Sequence, residues 1–100
     1  MLFRQLFDKE SSTYTYLIAD IKTKTAVLVD PVLEQFERDC QILQQLELTL
    51  RYCLETHVHA DHVTSTGKLR DATGCETVVP FGAEVPCADR YIADGEILQL

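Results

Sequence analysis

The sequence predicts an α/β domain in which a mixed β-sheet carries helices on its outer face. Short apolar segments rich in β-branched and aromatic residues recur along the chain, as they do in strands. One of them, AVLV at residues 26–29, is a continuous apolar run typical of a strand covered on both faces. The segment after it has apolar residues three and four positions apart, and such alternation of strand and helix is typical of layered α/β folds.

The first part of the chain predicts two strands and a turn. Residues 2–7 alternate enough for a strand, and residues 13–19, which read TYTYLIA, form the stronger one. Residues 20–25 are polar and predict the turn that returns the chain into the apolar strand. Tyr14 and Tyr16 alternate with threonines, so we expect them to pack half-buried on the sheet and not to bind a ligand.

A helix is expected after the apolar strand. Asp30 and Pro31 end that strand, because the residue before proline favours extended geometry and proline cannot donate to a ladder. Acidic residues follow early in the next segment, where they complement a helix dipole. The apolar residues that recur at helical spacing are Leu33, Phe36, Cys40, Leu43 and Leu46. The pattern predicts a helix over residues 33–47.

The second part of the chain continues the alternation. We predict a strand at residues 50–55, a histidine-rich loop, a helix at residues 66–72 and a strand at residues 77–79. Gly74 ends the helix, because glycine tolerates the left-handed conformation at a helix C-terminus. Residues 96–100 begin a strand-like pattern without the polar tail of a natural terminus, so we expect the domain to continue. No internal domain boundary is predicted.

The composition limits the classes of function. One hundred residues, 46% of them hydrophobic, are enough for one domain with a buried core. Sixteen acidic against nine basic residues give a net charge of −7 without a basic cluster. This charge argues against nucleic acid or an anionic membrane as a partner and favours a small soluble ligand. No apolar run is long enough for a transmembrane helix, and the first residues lack a signal or transit pattern, so we expect a cytoplasmic protein.

The chain has four cysteines: Cys40, Cys53, Cys75 and Cys87. No pair has the two-residue spacing found in zinc and redox motifs, so we interpret them as reduced thiols. Cys40 and Cys53 are expected in the core. Cys75 falls in a predicted loop without an adjacent basic residue, which favours an unreactive role.

All three histidines of the chain lie in one short segment, THVHADH at residues 56–62. In an extended segment residues i and i+2 point to the same side, so His57 and His59 can reach one metal or two adjacent metals. Asp61 and His62 add a carboxylate and a third imidazole, and such a ligand set suits zinc, iron or manganese. A lone histidine is more often structural, but three at this spacing with none elsewhere predict a metal site.

The same segment resembles the Thr-His-x-His-x-Asp-His signature of the metallo-β-lactamase superfamily, whose fold is an αββα sandwich. The segments AVLVDPVLE, HADHVTSTGKLR and YIADGEILQL are similar to the persulfide dioxygenases, a branch related to glyoxalase II. The resemblance implies that residues 1–100 are the N-terminal half of such a sandwich. A further histidine and an aspartate would then come from outside these residues. The uncovered sheet face and strand edge would favour aggregation or a homo-oligomer.

The branches of this superfamily imply different roles for the same four residues. In persulfide dioxygenases, the position of His57 and the two downstream residues hold one ferrous ion. His59, Asp61 and His62 would then orient water, oxygen or glutathione persulfide through hydrogen bonds. In glyoxalase II-type hydrolases two zinc ions bind, the first to the positions of His57 and His59. The second zinc binds to the positions of Asp61 and His62, the two candidate catalytic residues beside the metal.

The resemblance also implies that Asp30 braces the histidine loop. From the residues alone, a turn or helix-capping aspartate before proline fits this position equally well.

Three functional interpretations stay open. The favoured one is a persulfide dioxygenase with one iron, because the similarity extends through the segments around the motif. The second is a dinuclear zinc hydrolase that acts on a glutathione thioester. The third is a half-domain that acts as a binding or assembly module and is inactive without the other half. Residues 1–100 alone are expected to lack activity, because a catalytic metal needs three protein ligands that usually come from several loops.

Overall fold

The computed structural model describes residues 1–10, 12–56, 66–80 and 90–92. In this part of the chain, six strands form one sheet in sequential order. The strands are β1 (Leu2–Asp8), β2 (Thr13–Asp20), β3 (Thr25–Val29), β4 (Thr49–Leu54), β5 (Glu76–Pro80) and β6 (Arg90–Ile92). Strands β1 to β3 pair antiparallel, and β3 to β6 pair parallel. The predicted mixed α/β sheet is confirmed.

Two helices form the connections between parallel strands. Helix α1 (Phe36–Gln45) links β3 to β4, and α2 (Thr66–Thr73) lies between β4 and β5. Leu43 of α1 and Leu69 of α2 are buried in one cluster with side chains from the sheet. A helix on a parallel crossover has to bury its apolar stripe against the sheet, and this packing places both helices on the same face.

Strand β3 is buried on both faces, as its continuous apolar run predicts. Ala26 and Leu28 lie in the cluster beneath the helices, whereas Val27 and Val29 lie in a second cluster on the opposite face. Tyr52 of β4 belongs to this second cluster as well. The carboxyl end of β3 is therefore fixed in the middle of the sheet, with a neighbouring strand on either side.

Helix α1 begins later than its apolar pattern predicts. A 3-10 turn at Leu33–Gln35 precedes it, and the Gln35 amide donates to the Val32 carbonyl over 3.0 Å. Val32 is only 6% exposed, so the chain must bury this side chain before the helix can start. The prediction that the helix begins at residue 33 is therefore wrong, because α1 begins at Phe36, after the 3-10 turn.

Helix α2 ends as predicted. Gly74 adopts φ 75°, and its amide donates to the Arg70 carbonyl over 2.8 Å. The Thr73 hydroxyl donates to the Leu69 carbonyl over 2.6 Å and accepts from the Cys75 amide over 3.2 Å. These bonds satisfy groups that the end of the helix would otherwise leave without partners.

Other expectations are confirmed or corrected in detail. Strand β5 extends the predicted residues 77–79 to Glu76 and Pro80, and β6 was not predicted. Tyr14 is 47% exposed, so it is less buried than predicted, and its ring packs at a tilt against Phe7 with ring centroids 4.9 Å apart. Tyr16 is half-buried as expected. The strand-like pattern at residues 96–100 lies outside the described residues.

Two of the cysteines meet inside the core. The sulfur atoms of Cys53 and Cys75 lie 3.7 Å apart, and both residues are buried. The hydrogen bond shared with Cys75 and burial both raise the pKa of the Cys53 thiol, which keeps it neutral. Cys53 is in the core as predicted, whereas Cys40 is half-buried. Cys75 lies in the connection between α2 and β5, as predicted, and is buried there. Cys87 lies outside the described residues.

Asp39 of α1 is a carboxylate buried beneath the helix. The residue is 1% exposed, and its Oδ1 atom accepts from the Nε of Arg38 over 3.2 Å. Arg38 also donates from Nη1 to the Phe7 carbonyl over 2.8 Å, so it links α1 to the edge strand β1. Burial raises the pKa of Asp39 to about 6, although the Arg38 charge opposes the shift.

We predict that Asp39→Asn makes the free energy of unfolding less dependent on pH. Because the folded-state pKa exceeds the ordinary 3.8, the contribution of Asp39 to stability is greatest below about pH 4 and falls until about pH 6. The full shift corresponds to about 3 kcal/mol. Urea unfolding at about pH 4 and about pH 6 measures the free energy of unfolding of wild type and variant. Asp71→Asn, which changes an exposed carboxylate, is the control. An unchanged pH dependence in Asp39→Asn would contradict the prediction.

No helix in the described ranges is long and apolar enough to cross a membrane.

Candidate functional site

We call residues 57–65 the histidine segment. It contains the candidate ligands His57, His59, Asp61 and His62 and lies outside the described residues. The structure describes the chain on either side of them. Strand β4 ends at Leu54 and helix α2 begins at Thr66, so the histidine segment connects the carboxyl end of a parallel strand to a helix. This is the end of the sheet at which α/β proteins commonly place their sites. Among the described residues, no group of three or more His, Cys, Asp or Glu could hold a metal ion.

The residue before the histidine segment is held by Asp30 from the end of β3. The backbone amide of Thr56 donates to Oδ1 of Asp30 over 2.8 Å, and the Thr56 hydroxyl donates to Oδ2. Both carboxylate oxygens of Asp30 thus hold the residue that precedes His57. Hydrogen bonds to an ionised carboxylate are stronger than those between neutral groups. This contact supports the expectation that Asp30 braces the loop.

Asp30 does not cap helix α1. The N-cap position belongs to Gln35, which makes no side-chain capping bond. A turn at Asp30 would account for its backbone conformation but not for its carboxylate. The carboxylate accepts from Thr56, which is 26 residues away in the sequence. We therefore interpret Asp30 as a support for the histidine segment.

The backbone of Asp30 is unusual for a residue before proline. Its φ is 53°, in the left-handed region, so the expected extended geometry is wrong. Aspartate enters this region more readily than most residues, because its short polar side chain finds local partners. The Asp30 amide donates to the Leu54 carbonyl over 2.8 Å, and the Asp30 carbonyl accepts from the Thr15 hydroxyl over 2.9 Å. The amide, the carbonyl and the carboxylate of Asp30 are thus all hydrogen-bonded, and these bonds stabilise the left-handed conformation.

The last three residues before the histidine segment are all fixed by neighbouring strands. Leu54 accepts from the Asp30 amide, and Thr56 donates to the Asp30 carboxylate. Between them, the Glu55 amide donates to the carbonyl of Val78 in β5 over 2.9 Å. A site whose supporting residues are locked in this way can hold ligands in a reproducible geometry.

Glu55 is a residue near the site that sequence reasoning did not single out. It is 8% exposed, although it is a carboxylate that directly follows an apolar strand. In the sequence, only its position at the end of a predicted strand pointed to Glu55. It precedes the histidines but is not part of the His-x-His-x-Asp-His pattern.

Beyond the histidine segment, the chain is anchored again by α2. Leu69 is fully buried, and the Lys68 ammonium lies 4.6 Å from the centre of the Phe36 ring at the start of α1. A cation over an aromatic face is an attractive contact. The segment of residues 57–65 therefore starts and ends at points that are fixed to the sheet and to α1.

The donor set of the histidine segment fits a metal ion. Three imidazoles and one carboxylate are borderline or hard ligands that suit either one ferrous ion or a pair of zinc ions. The hydrogen bonds that fix the residues just before His57 are a second reason to expect a metal site, because metal ligands are usually oriented by hydrogen-bonded neighbours. Asp30 is one such neighbour, since its carboxylate holds Thr56 directly before His57.

The chain is similar in sequence and structure to known proteins. The family model of the metallo-beta-lactamase superfamily matches residues 8–93. The mitochondrial persulfide dioxygenase ETHE1 of Bos taurus is 46% identical over 102 residues, which cover 99% of this chain and 39% of the relative. The chain therefore spans about two fifths of the length of this relative.

Two further proteins are similar to the chain. The crystal structure of ETHE1 from Myxococcus xanthus superimposes with a TM-score of 0.93 at 50% identity, covering 99% of this chain and 44% of that one. The hydroxyacylglutathione hydrolase of Bdellovibrio bacteriovorus is 31% identical over 85 residues, covering 83% of this chain and 33% of that protein.

Proposed function

Because the chain belongs to the metallo-beta-lactamase superfamily, we propose that it forms part of an iron-dependent dioxygenase that oxidises glutathione persulfide to sulfite. In this reaction one persulfide, one oxygen molecule and one water give one thiol, one sulfite and two protons. The observation that carries the proposal is the 46% identity to a persulfide dioxygenase over 99% of the chain. This similarity includes the strands and helices that support the site as well as the histidine motif.

We propose that residues 1–100 are the N-terminal half of the catalytic domain. The relatives are longer than this chain, which spans 39% of the Bos taurus protein. His57 would hold the metal together with a histidine and an aspartate from outside these residues. When bound, a ferrous ion supplies open coordination positions and redox chemistry that protein side chains lack.

The remaining residues of the histidine segment act on the substrates. His59 and His62 can donate or accept protons near neutral pH, and Asp61 accepts hydrogen bonds. Under this proposal these three side chains orient water and the persulfide and do not bind iron. Asp30 and Thr56 keep the start of the segment in place through the bonds between the Asp30 carboxylate and Thr56.

The proposed function predicts oxygen consumption by the full-length protein. Ferrous-loaded protein in an oxygen electrode is expected to consume oxygen when glutathione persulfide is added and to release sulfite. Residues 1–100 alone are expected to show no turnover, because a catalytic metal site needs three protein ligands. Stoichiometric zinc with hydrolysis of a glutathione thioester and without oxygen uptake would contradict the proposal.

A dinuclear zinc hydrolase is the second candidate. The 31% identity to a hydroxyacylglutathione hydrolase over 85 residues supports it. In that case His57 and His59 would hold one zinc ion, and Asp61 and His62 the other. Metal content separates the two enzymes. A non-catalytic role as a binding or assembly module requires that the full-length protein lacks the further histidine and aspartate.

The location and assembly of the protein are separate proposals. We propose a cytoplasmic protein, although the Bos taurus relative is described as mitochondrial. Fractionation of cells that produce the protein tests this location. A homo-oligomer is also proposed, and light scattering on the full-length protein measures it.

A further inference from the structure

Thr15 of strand β2 also contacts Asp30, the residue whose carboxylate holds Thr56. Its hydroxyl donates to the Asp30 carbonyl over 2.9 Å, and the residue is fully buried. Sequence reasoning placed Thr15 in a strand and gave it no further role. Because a buried hydroxyl needs a partner, this bond is a fixed feature of the packing.

The register of the strands places Thr15 beside Asp30. Strands β2 and β3 pair in regular antiparallel register up to Tyr16 opposite Val29, and the next pair would be Thr15 opposite Asp30. At φ 53° the Asp30 backbone is no longer extended, and its carbonyl accepts from the Thr15 side chain. The Thr15 hydroxyl is therefore a contact by which β2 can hold the Asp30 backbone in this conformation.

The consequence reaches the start of the histidine segment. The Asp30 carbonyl is held by Thr15, the Asp30 amide by Leu54, and the Asp30 carboxylate holds Thr56. A change in the left-handed backbone of Asp30 would swing its carboxylate away from Thr56. The position of the residue before His57 thus depends on a bond made two strands away from β4.

We propose that Thr15 is a positioning residue for the metal site, acting through Asp30 and Thr56. This inference rests on the proposed function only in that the histidine segment binds a metal ion. It does not depend on which reaction the metal supports. Thr15 touches neither the metal nor the substrate.

Thr15→Val tests the inference, because valine has nearly the same shape and lacks the hydroxyl donor. In the full-length protein we expect ferrous iron to bind about 10 to 100-fold more weakly, the usual cost of losing an outer support of a metal ligand. Competition with a ferrous-specific chelator under anaerobic conditions measures the affinity. Hydrogen exchange at the Thr56 amide is expected to become faster in the same variant, since its bond to Asp30 opens more often.

Two variants distinguish positioning from a general loss of stability. Thr15→Ser keeps the hydroxyl and should bind iron with nearly wild-type affinity. Thr25→Val removes a hydroxyl that is bonded to Thr23 at the other end of β3, and it should leave iron affinity unchanged. If Thr15→Val fails to fold, Thr15→Cys replaces it and should lie between valine and serine, because a thiol is a weak donor.

Several results would overturn the inference. One is wild-type iron affinity in Thr15→Val, and another is an equal loss in Thr15→Val and Thr25→Val. If the wild-type protein binds iron but does not oxidise persulfide, the proposed function fails while the affinity series still decides the role of Thr15. If the wild-type protein binds neither iron nor zinc, both the proposed function and this inference fail.

Discussion

Asp30→Ala is expected to lower both the stability of the protein and its affinity for metal. The change removes the two hydrogen bonds that the carboxylate accepts from Thr56. It also leaves a residue with a Cβ at φ 53° without the side-chain contacts that favour that conformation. Hydrogen bonds to a charged group contribute about 1.5–3 kcal/mol each, so we expect the free energy of unfolding to fall by about 3 kcal/mol. Iron affinity should fall at least about 10-fold, because the residue before His57 loses its support.

Asp30→Gly and Asp30→Asn are the matched controls. Glycine removes the same bonds but tolerates a positive φ, so it should be about 1 kcal/mol more stable than alanine and bind iron as weakly. Asparagine keeps an oxygen for the Thr56 amide and should fall between wild type and alanine in both measurements. Chemical unfolding measures the free energy of unfolding, and competition with a chelator measures the iron affinity. Full iron affinity in Asp30→Ala would show that this carboxylate is irrelevant to the site.

His57→Ala is expected to abolish metal retention. Under both enzymatic interpretations His57 is a ligand, whereas His62 is a ligand only in the zinc hydrolase. His62→Ala should therefore keep most of the bound iron and lower the rate by about 10 to 100-fold, as losses around a metal centre commonly do. Elemental analysis of the purified variants and oxygen uptake measure the two effects.

Two further variants extend the comparison within the segment. His59→Ala and Asp61→Asn should resemble His62→Ala if one iron is bound. If two zinc ions are bound, each of these variants should instead lose metal. Equal loss of metal in His57→Ala and His62→Ala would contradict the assignment of a single iron.

The elements that could be predicted from the sequence are those that local chemistry determines. Residues 26–29 form a buried strand because an uninterrupted apolar run fits only a position covered on both faces. Helix α2 ends at Thr73, and Gly74 directly after it permits the left-handed turn. The same kind of reasoning identified the histidine segment, whose ligand spacing is visible without the fold.

The elements that were missed depend on contacts between distant residues. Strand β6 has three residues and exists as a partner of β5, so its own sequence carries little signal. The late start of α1 follows from the burial of Val32, which depends on the sheet. The support of the site is the clearest example, because Thr15, Asp30 and Thr56 are far apart in sequence and meet only when three strands pair.

The family resemblance added the role of Asp30, which the residues alone left undecided between a brace and a turn. The structure then supplied the contact with Thr56 that gives this role a physical basis. It also added Thr15, for which neither the pattern of the strand nor the resemblance gave a reason. The four candidate ligands remain predictions, since they lie outside the described residues.

Metal analysis of the full-length protein, purified anaerobically after production in medium that contains both iron and zinc, tests the central claim most directly. The claim is that the histidine segment, held by Asp30 through Thr56, forms part of a site for one ferrous ion. We predict one iron per chain, little zinc, and loss of that iron in His57→Ala but not in His62→Ala. Two zinc ions per chain, both lost when either histidine is replaced, would contradict the account.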